Sequence, residues 1–372
     1  MSYPKIRLKE GRSKSLYYKH PWIFSGALDT KSLKADSGKG EVVDLVDEND
    51  DFKARGYLNM QSDIAFRVLT YDKKEQIDLD FLKNRLEHAY AKRKAWLNLE
   101  QTNVFRLVFA EGDNLPGLVV DFYDKILVVQ FHTLGMEVMK DLVVEALVEV
   151  YTPELIYERS DLNVRKKEGI ETMPKGVLYK KKGQNADLEN FVVMENGIKF
   201  KVDLVNGQKT GFFIDQRENR QTIGTYVKGK TVLNLFSYSG GFSCYALKAG
   251  AEHVTSVDIS EAANELCYQN VALNSLGEKK HEAITSDVFE YIQNAEKDGE
   301  KYDVIIVDPP AFVKSKNSLD HALKAYAKLN AEALLLLNDG GYLITSSCSS
   351  YVTQDLFRKC LFQAGLKANA DL

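Results

Sequence analysis

Thr231-Val232-Leu233-Asn234-Leu235-Phe236-Ser237-Tyr238-Ser239-Gly240-Gly241-Phe242 decides the fold. An apolar run ends in a turn with two adjacent glycines and then enters a helical pattern over Gly241–Ala249. Beyond it, strand and helix patterns alternate strictly. Strands are expected at His253–Val257, Glu282–Thr285, Tyr302–Val307 and Gly341–Thr345, and helices at Glu261–Leu276, Val288–Lys297, Asp320–Leu337 and Thr353–Ala364. Such alternation predicts a doubly wound parallel sheet. Ligands of open parallel sheets sit beyond the carboxyl ends of the strands. The residues that close each strand are therefore the ones to read for chemistry.

Working outward, the sequence divides into three segments. Residues 186–372 hold the alternating α/β pattern, preceded by a strand at Ile198–Leu204 and a helix at Asp215–Tyr226. Residues 1–72 carry short alternating runs at Glu41–Asp47, Ala54–Leu58 and Ile64–Thr70, separated by Gly and Asp, and read as a small mostly-β module. Residues 73–185 read as a central α+β domain. Its helix over residues 78–99 places Phe81, Leu82, Leu86, Ala89, Tyr90 and Trp96 near helical spacing. Strands follow at Phe105–Val108, Leu118–Asp121, Ile126–Phe131 and Leu155–Glu158, with a second helix over Met136–Val150. The polar stretch Lys180–Asn190 reads as a linker.

The length of 372 residues fits two or three domains. No apolar run approaches the ~20 residues of a membrane helix. The N-terminal Met-Ser-Tyr-Pro leads into charged residues without a hydrophobic signal core, which reads as a cytoplasmic chain. Cys244, Cys267, Cys348 and Cys360 are too scattered for a disulfide framework, and none has metal-ligand spacing, so no metal is expected. A net charge of −4 argues against a wholly basic nucleic-acid binder. Local charge differs: six Lys or Arg face only Glu10 between Lys5 and Lys19, and seven face Glu168 and Glu171 between Arg165 and Lys182. Both stretches could be solvated surface. Tyr17, Tyr18, Trp22 and Phe24 interleave or follow the first, which tilts it toward RNA, because unpaired bases stack on rings.

The strand ends are consistently polar. After the Gly-Gly turn comes Val257-Asp258-Ile259-Ser260, where an acid can accept both hydroxyls of a ribose. Ser286-Asp287-Val288 follows the third strand, where an acid can accept from an adenine amino group. Each such Asp could equally be a helix N-cap. Val307-Asp308-Pro309-Pro310 closes the fourth strand, and Thr345-Ser346-Ser347-Cys348-Ser349 the fifth. An acid, two rigid prolines and a thiol thus converge on one crevice. The turn is not the G-x-G-x-x-G dinucleotide fingerprint, which disfavours a dehydrogenase.

Asn234–Phe242, Val257–Ser260, Ser286–Phe289 and Val307–Phe312 resemble the motifs of class I S-adenosylmethionine-dependent methyltransferases. The nearer similarity is to the ribosomal large subunit methyltransferase I family, 23S rRNA 5-methylcytosine enzymes, through His20–Ala27, Ser160–Gly169 and Gln208–Arg217 as well. The resemblance implies a Rossmann-like class I methyltransferase domain, preceded by a small β-barrel-like PUA RNA-binding domain and the central α+β domain. It implies S-adenosyl-L-methionine as cofactor. Phe236, Gly240 and Gly241 would line its methionine and ribose end, Asp258 would hold the ribose, and Asp287 the adenine. Gln216 and Arg217 would close over it, although Arg217 could ion-pair within its own helix. Asn234, Ser239, Ile259, Ser260, Val288 and Asp308 complete the expected cofactor set. The implied partner is 23S rRNA or a large-subunit precursor. Pro309, Pro310 and Phe312 are expected at the target base, and Lys5, Arg12, Lys14, Tyr17 and Trp22 on the N-terminal module. A homodimer is allowed for, and no membrane is involved.

Cytosine C5 is a poor nucleophile until a thiolate adds to C6, which is covalent catalysis. Cys348 is expected as that nucleophile and Asp308 as the acid that orients the ring at N3. The alternative for Cys348 is a small packing residue. Many RNA 5-methylcytosine enzymes carry a second cysteine between the positions occupied here by Asp308 and Pro310; Pro309 stands there instead, a one-cysteine layout. The expected parallel sheet stops after its fifth strand, without the closing β-hairpin of the family. Either the sequence is truncated or the sheet edge is covered in another way. Two other functions stay open: a guanine-nitrogen rRNA methyltransferase, which needs no thiol, and a non-catalytic RNA-binding assembly factor.

Overall fold

The structure, a computed structural model, describes all residues except 1–2, 13, 33–36, 278–279, 314–315 and 372, and not the side chains of 14, 15, 32 and 316. The chain divides into two compact units, Met1–Asn196 with Val202–Ile214, and Gly197–Lys201 with Asp215–Leu372.

The first unit opens with a six-stranded sheet. Its strands are β1 (Lys5–Leu8), β2 (Trp22–Ile23), β3 (Leu28–Asp29), β4 (Lys39–Val46), β5 (Phe52–Asn59) and β6 (Phe66–Thr70), in the order β2-β6-β5-β4-β1-β3; α1 (Lys14–Tyr17) links β1 to β2. The expected runs are β4, β5 and β6. The first three strands are too short for alternation to register. Yet β1 alternates outward Lys5 and Arg7 with inward Ile6 and Leu8, which join Leu45, Leu58 and Phe66 in the core.

A second sheet follows, in the order β11-β10-β9-β8-β7. Its elements are α2 (Leu79–Trp96), β7 (Val104–Phe109), β8 (Leu118–Tyr123), β9 (Ile126–Phe131), α3 (Leu134–Val138), α4 (Lys140–Tyr151), β10 (Leu155–Arg159) and β11 (Lys175–Lys180). Asp78 caps α2 by accepting from the Phe81 amide at 3.0 Å. The helix buries Phe81, Leu82, Leu86 and Ala89. Trp96, expected on that stripe, is instead 88% exposed, because burial ends at Ala89 and the last turns outrun what the helix packs against. The single helix expected over Met136–Val150 is two, broken at Met139. The first of them approaches β4 so closely that a Cβ on Gly40 would meet the Leu134 carbonyl oxygen at 2.9 Å. Strand β11, which no expected element covers, ends at Lys180, where the expected linker begins. It is a half-exposed edge strand with a lysine at each end, so its sequence reads as surface.

The basic stretch 165–182 also turns partly inward. Arg165 is buried, donating to Glu137 at 2.8 Å and to the Thr172 carbonyl at 2.9 Å. Buried Glu168 accepts from Arg67 and Ser62, each at 2.7 Å, and from Asn59 at 3.0 Å. The spacing of these two residues therefore serves the interior, while Lys166 and Lys167 between them are exposed.

A two-stranded sheet of β12 (Phe191–Glu195) and β13 (Ile198–Val202) comes next. The second unit then runs α5 (Arg217–Ile223), β14 (Thr231–Leu235), α6 (Gly241–Lys248), β15 (His253–Asp258), α7 (Glu261–Leu273), β16 (His281–Thr285), α8 (Val288–Asp298), β17 (Tyr302–Val307), α9 (Leu319–Leu335), β18 (Leu337–Thr345) and α10 (Gln354–Ala368). Its sheet has the order β16-β15-β14-β17-β18, every pair parallel. Val304 to Val307 of β17 are buried without alternation, as a strand covered on both faces requires. The direction of winding reverses between β14 and β17, where such sheets bind ligands. Among the described residues no helix is long and apolar enough to cross a membrane, and no cluster of side chains suits a metal.

Replacing Glu168 by Ala leaves the Arg67 guanidinium buried without its counter-charge. The expected loss of stability is about 3–5 kcal/mol, read by urea unfolding. An Arg67→Met/Glu168→Leu pair should recover most of it, and a single variant within 1 kcal/mol of the parent would contradict this account.

Candidate active site

The turn after β14 is built from left-handed backbone. Phe236, Tyr238 and Gly240 have φ of 60°, 45° and 76°. Two non-glycine residues in this region mark local strain of the kind that persists at functional sites. At Gly240 a side chain is excluded twice over, by the positive φ and by Cys267, whose Sγ would lie 2.2 Å from an added Cβ. The turn is tied to the next strand by the Tyr238 amide, which donates to Asp258 Oδ2 at 2.9 Å. The Ser260 amide donates to Asp258 Oδ1, also at 2.9 Å. Each carboxylate oxygen thus has one backbone donor and keeps lone pairs for a ligand. Ile259 beside it is 71% exposed, an apolar surface next to an acid.

The other expected cofactor residues separate into outward and inward groups. Ser260 caps α7 through the Ala263 amide at 3.3 Å, and Asp287 caps α8 through Phe289 and Glu290 at 2.9 and 3.2 Å. Asp287 is exposed, with only Oδ1 used in the cap. Val288 lies in the sheet core, and Ser239 is buried with its carbonyl accepting from Asn270. Asn234 does not reach the surface: it is fully buried and donates to Ser243 Oγ at 2.8 Å. It belongs to a buried polar chain under the turn. Ser243 bonds Ser256 at 2.7 Å, and Ser256 bonds His281 Nε2 at 2.9 Å. Cys267 approaches the same nitrogen at 3.5 Å. Burial pushes His281 down to about 4 and the Cys267 thiol up to about 12, so both are neutral near pH 7.

At the end of β17, Asp308 accepts from Gln216 Nε2 at 3.3 and 3.2 Å and from Ser346 Oγ. Gln216 therefore stands at the acid, whereas Arg217 pairs with Glu218 in its own helix at 3.0 Å. Ser346 was not singled out from the sequence, although a hydroxyl one residue past a strand was the available signal. Pro309 is buried and Pro310 exposed. Cys348 Sγ donates to the Pro309 carbonyl at 3.6 Å, and Cys348 alone of the four cysteines is exposed. Phe312 turns inward onto Tyr326, with ring centroids 4.7 Å apart. A cleft of about 440 Å³ opens at Asp308 and Ser346, lined further by Gln216, Phe242, Tyr226 and Tyr342.

In the N-terminal module, Tyr17 is 83% exposed and meets Tyr18 edge-on at 5.2 Å. Arg12 is exposed, and the side chain of Lys14 lies outside the described residues. Lys5 is paired with Asp50. Trp22 is half-buried, its indole N–H donating to Glu111 at 2.7 Å.

Residues 181–360 match the S-adenosylmethionine-dependent methyltransferase family and residues 6–71 a PUA-like domain family. The chain is 44% identical to ribosomal RNA large subunit methyltransferase I of Aliivibrio fischeri strain MJ11, over 98% of this chain and 90% of that one. To the protein of the same name in Aeromonas salmonicida strain A449 it is 42% identical over 98% and 91%. Among solved structures, a candidate SAM-dependent methyltransferase from Streptococcus mutans superimposes with a TM-score of 0.77 at 29% identity, covering 97% of this chain and 90% of that one. A candidate methyltransferase complexed with SAH superimposes with a TM-score of 0.78 at 29% identity, covering 98% and 90%. The Rossmann-like and PUA-like expectations are borne out, and the cofactor of the matched family is S-adenosylmethionine.

His281 generates a pH prediction. Its folded pKa of about 4 lies below the ordinary value, so the unfolded chain binds the proton more tightly. The stability it contributes is complete above about pH 6.5 and is lost as pH falls toward about 4. Urea midpoints measured across that range should fall on the acid side, and less steeply in His281→Gln. An identical slope in the variant would remove His281 as the cause.

Proposed function

Because this chain belongs to the ribosomal RNA large subunit methyltransferase I family, we propose that it methylates cytosine C5 in large-subunit rRNA through a covalent adduct on Cys348. The observation that carries this reading is the single exposed thiol, hydrogen-bonded at 3.6 Å to the residue that follows Asp308. Two groups needed for pyrimidine activation thereby meet at one sheet end.

The residues around the glycine turn fit S-adenosylmethionine. Asp258 offers acceptor lone pairs on both oxygens to a ribose diol, Ile259 offers an apolar face to the adenine, and exposed Asp287 keeps one carboxylate oxygen outside its cap. When bound, the cofactor supplies an electrophilic sulfonium methyl group. The chain supplies the rest. The Cys348 thiol gives its proton to solvent, the sulfur bonds to C6 of the flipped base, and the C5–C6 electron pair becomes nucleophilic at C5. Asp308, held by Gln216 and Ser346, faces N3 and shares the proton placed there as the adduct forms. After C5 gains its methyl group and releases its proton to solvent, the C6–S bond breaks, the thiolate leaves and N3 returns its proton to Asp308. Buried Pro309 carries no backbone N–H and keeps the strand end stiff.

Asp258→Ala should weaken S-adenosylmethionine binding by roughly 1.5–3 kcal/mol in calorimetry, and unchanged affinity would sink its assignment.

Cys348→Ala should abolish methyl transfer while cofactor and RNA binding persist, since the thiol acts in the chemical step. With 5-fluorocytosine at the target, the parent enzyme should stall as a covalent RNA complex and the variant should form none. Near-normal methylation by the variant would instead favour transfer to a guanine nitrogen.

A further inference from the structure

Two large rings stand out from the first unit where their own elements stop packing. Trp96 ends α2 and is 88% exposed; Phe109 ends β7 and is 57% exposed. They belong to one surface. Lys92, one helical turn before Trp96, donates to the Gly112 carbonyl at 3.2 Å. The Phe109 ring lies against Gly112, where an added Cβ would meet it at 3.5 Å. The Arg106 guanidinium sits 5.5 Å from the centroid of the same ring.

Exposed apolar residues scattered singly carry no message. Here the surrounding charges do. Two acids of this region are turned to internal partners: Asp113 is buried against Arg93 at 2.6 Å and Lys92 at 3.3 Å, and fully buried Asp121 holds Arg106 at 2.8 Å. Glu111 accepts the Trp22 indole N–H at 2.7 Å. What faces outward is Trp96 and Phe109 with the exposed cations Lys92 and Lys94, half-exposed Arg106 and one exposed acid, Glu100, four residues past Trp96. Through Glu111 the surface continues to Trp22 and to Phe24, which is exposed.

We propose that Trp96 and Phe109 form a base-stacking platform for single-stranded RNA, an extension of the N-terminal module into the central domain. Rings separated by cations match the alternation of bases and phosphates along an unpaired strand. A duplex, whose bases are stacked on one another, cannot use such a platform. The inference rests on the rRNA reading above, and it adds that the bound RNA is unpaired beyond the target base.

The full chain has two tryptophans, so its intrinsic fluorescence reports on Trp22 and Trp96 together. A short single-stranded RNA should quench that emission, and Trp96→Leu should lose the larger part of the quenching. A duplex of the same sequence should quench little. Trp96→Leu and Phe109→Leu should each weaken single-strand affinity about tenfold by filter binding. Lys92→Gln should lower the slope of log affinity against log salt by about one. Unchanged thermal unfolding of the leucine variants separates lost contact from lost fold. If the double leucine variant binds the RNA as tightly as the parent, the platform is wrong and the rings are left to a protein partner. If the parent itself binds no RNA, the rRNA reading fails and the platform with it.

Discussion

A strand covered on both faces can offer a polar side chain to solvent only at its end. The second unit depends on this constraint. Val232 to Leu235 in β14 and Val304 to Val307 in β17 are buried, so neither strand has room for chemistry along its length. The expected site residues are displaced to the carboxyl ends, where Asp258 closes its strand and Phe236, Asp287, Asp308 and Cys348 follow theirs. Parallel pairing puts all of these ends on one side of the sheet. The reversal of winding at β14 and β17 opens the crevice there. A glycine turn, three acids and a thiol far apart in sequence are thereby gathered without any of them disturbing the core.

The turn after β14 shows how such a site is held. Its left-handed residues would not persist in isolation, and two interactions over-determine them. From above, Asp258 accepts the Tyr238 amide. From below, Cys267 fills the space where a side chain on Gly240 would stand, within the chain of Ser243, Ser256 and His281. Keeping His281 and Cys267 neutral matters, because a charge in that dry layer would disrupt the support of the turn. One buried polar chain thus supports both the turn and the strands beneath it.

The first unit uses buried charge differently. Arg165 and Glu168 sit three residues apart and point into different partners, Glu137 for one and Arg67 with Ser62 and Asn59 for the other. Glu168 in particular fastens the segment after β10 to residues from the six-stranded sheet. Breaking either pair strands a charge in the interior, which makes the contact intolerant of single changes. The lysines between them remain outside, so a run of like residues performs two tasks.

Local pattern was enough to determine the parallel sheet, its helices and the strand ends where the candidate site lies, because apolar runs bounded by turns are properties of short windows. Asp258, Asp308 and Cys348 could be named because they stand at or just beyond strand ends, where a parallel sheet binds ligands, although a helix N-cap would place an acid there too. Short windows do not contain long-range partners, and there the tertiary structure decided. It turned Asn234 inward to Ser243, gave Gln216 and Ser346 to Asp308, and paired Arg217 with Glu218. It buried Arg165 out of a stretch that reads as basic surface, and it exposed Trp96 on a stripe that reads as core. Periodicity states which residues share a face of a helix; only the packing of the whole chain determines how far along that face there is anything to pack against.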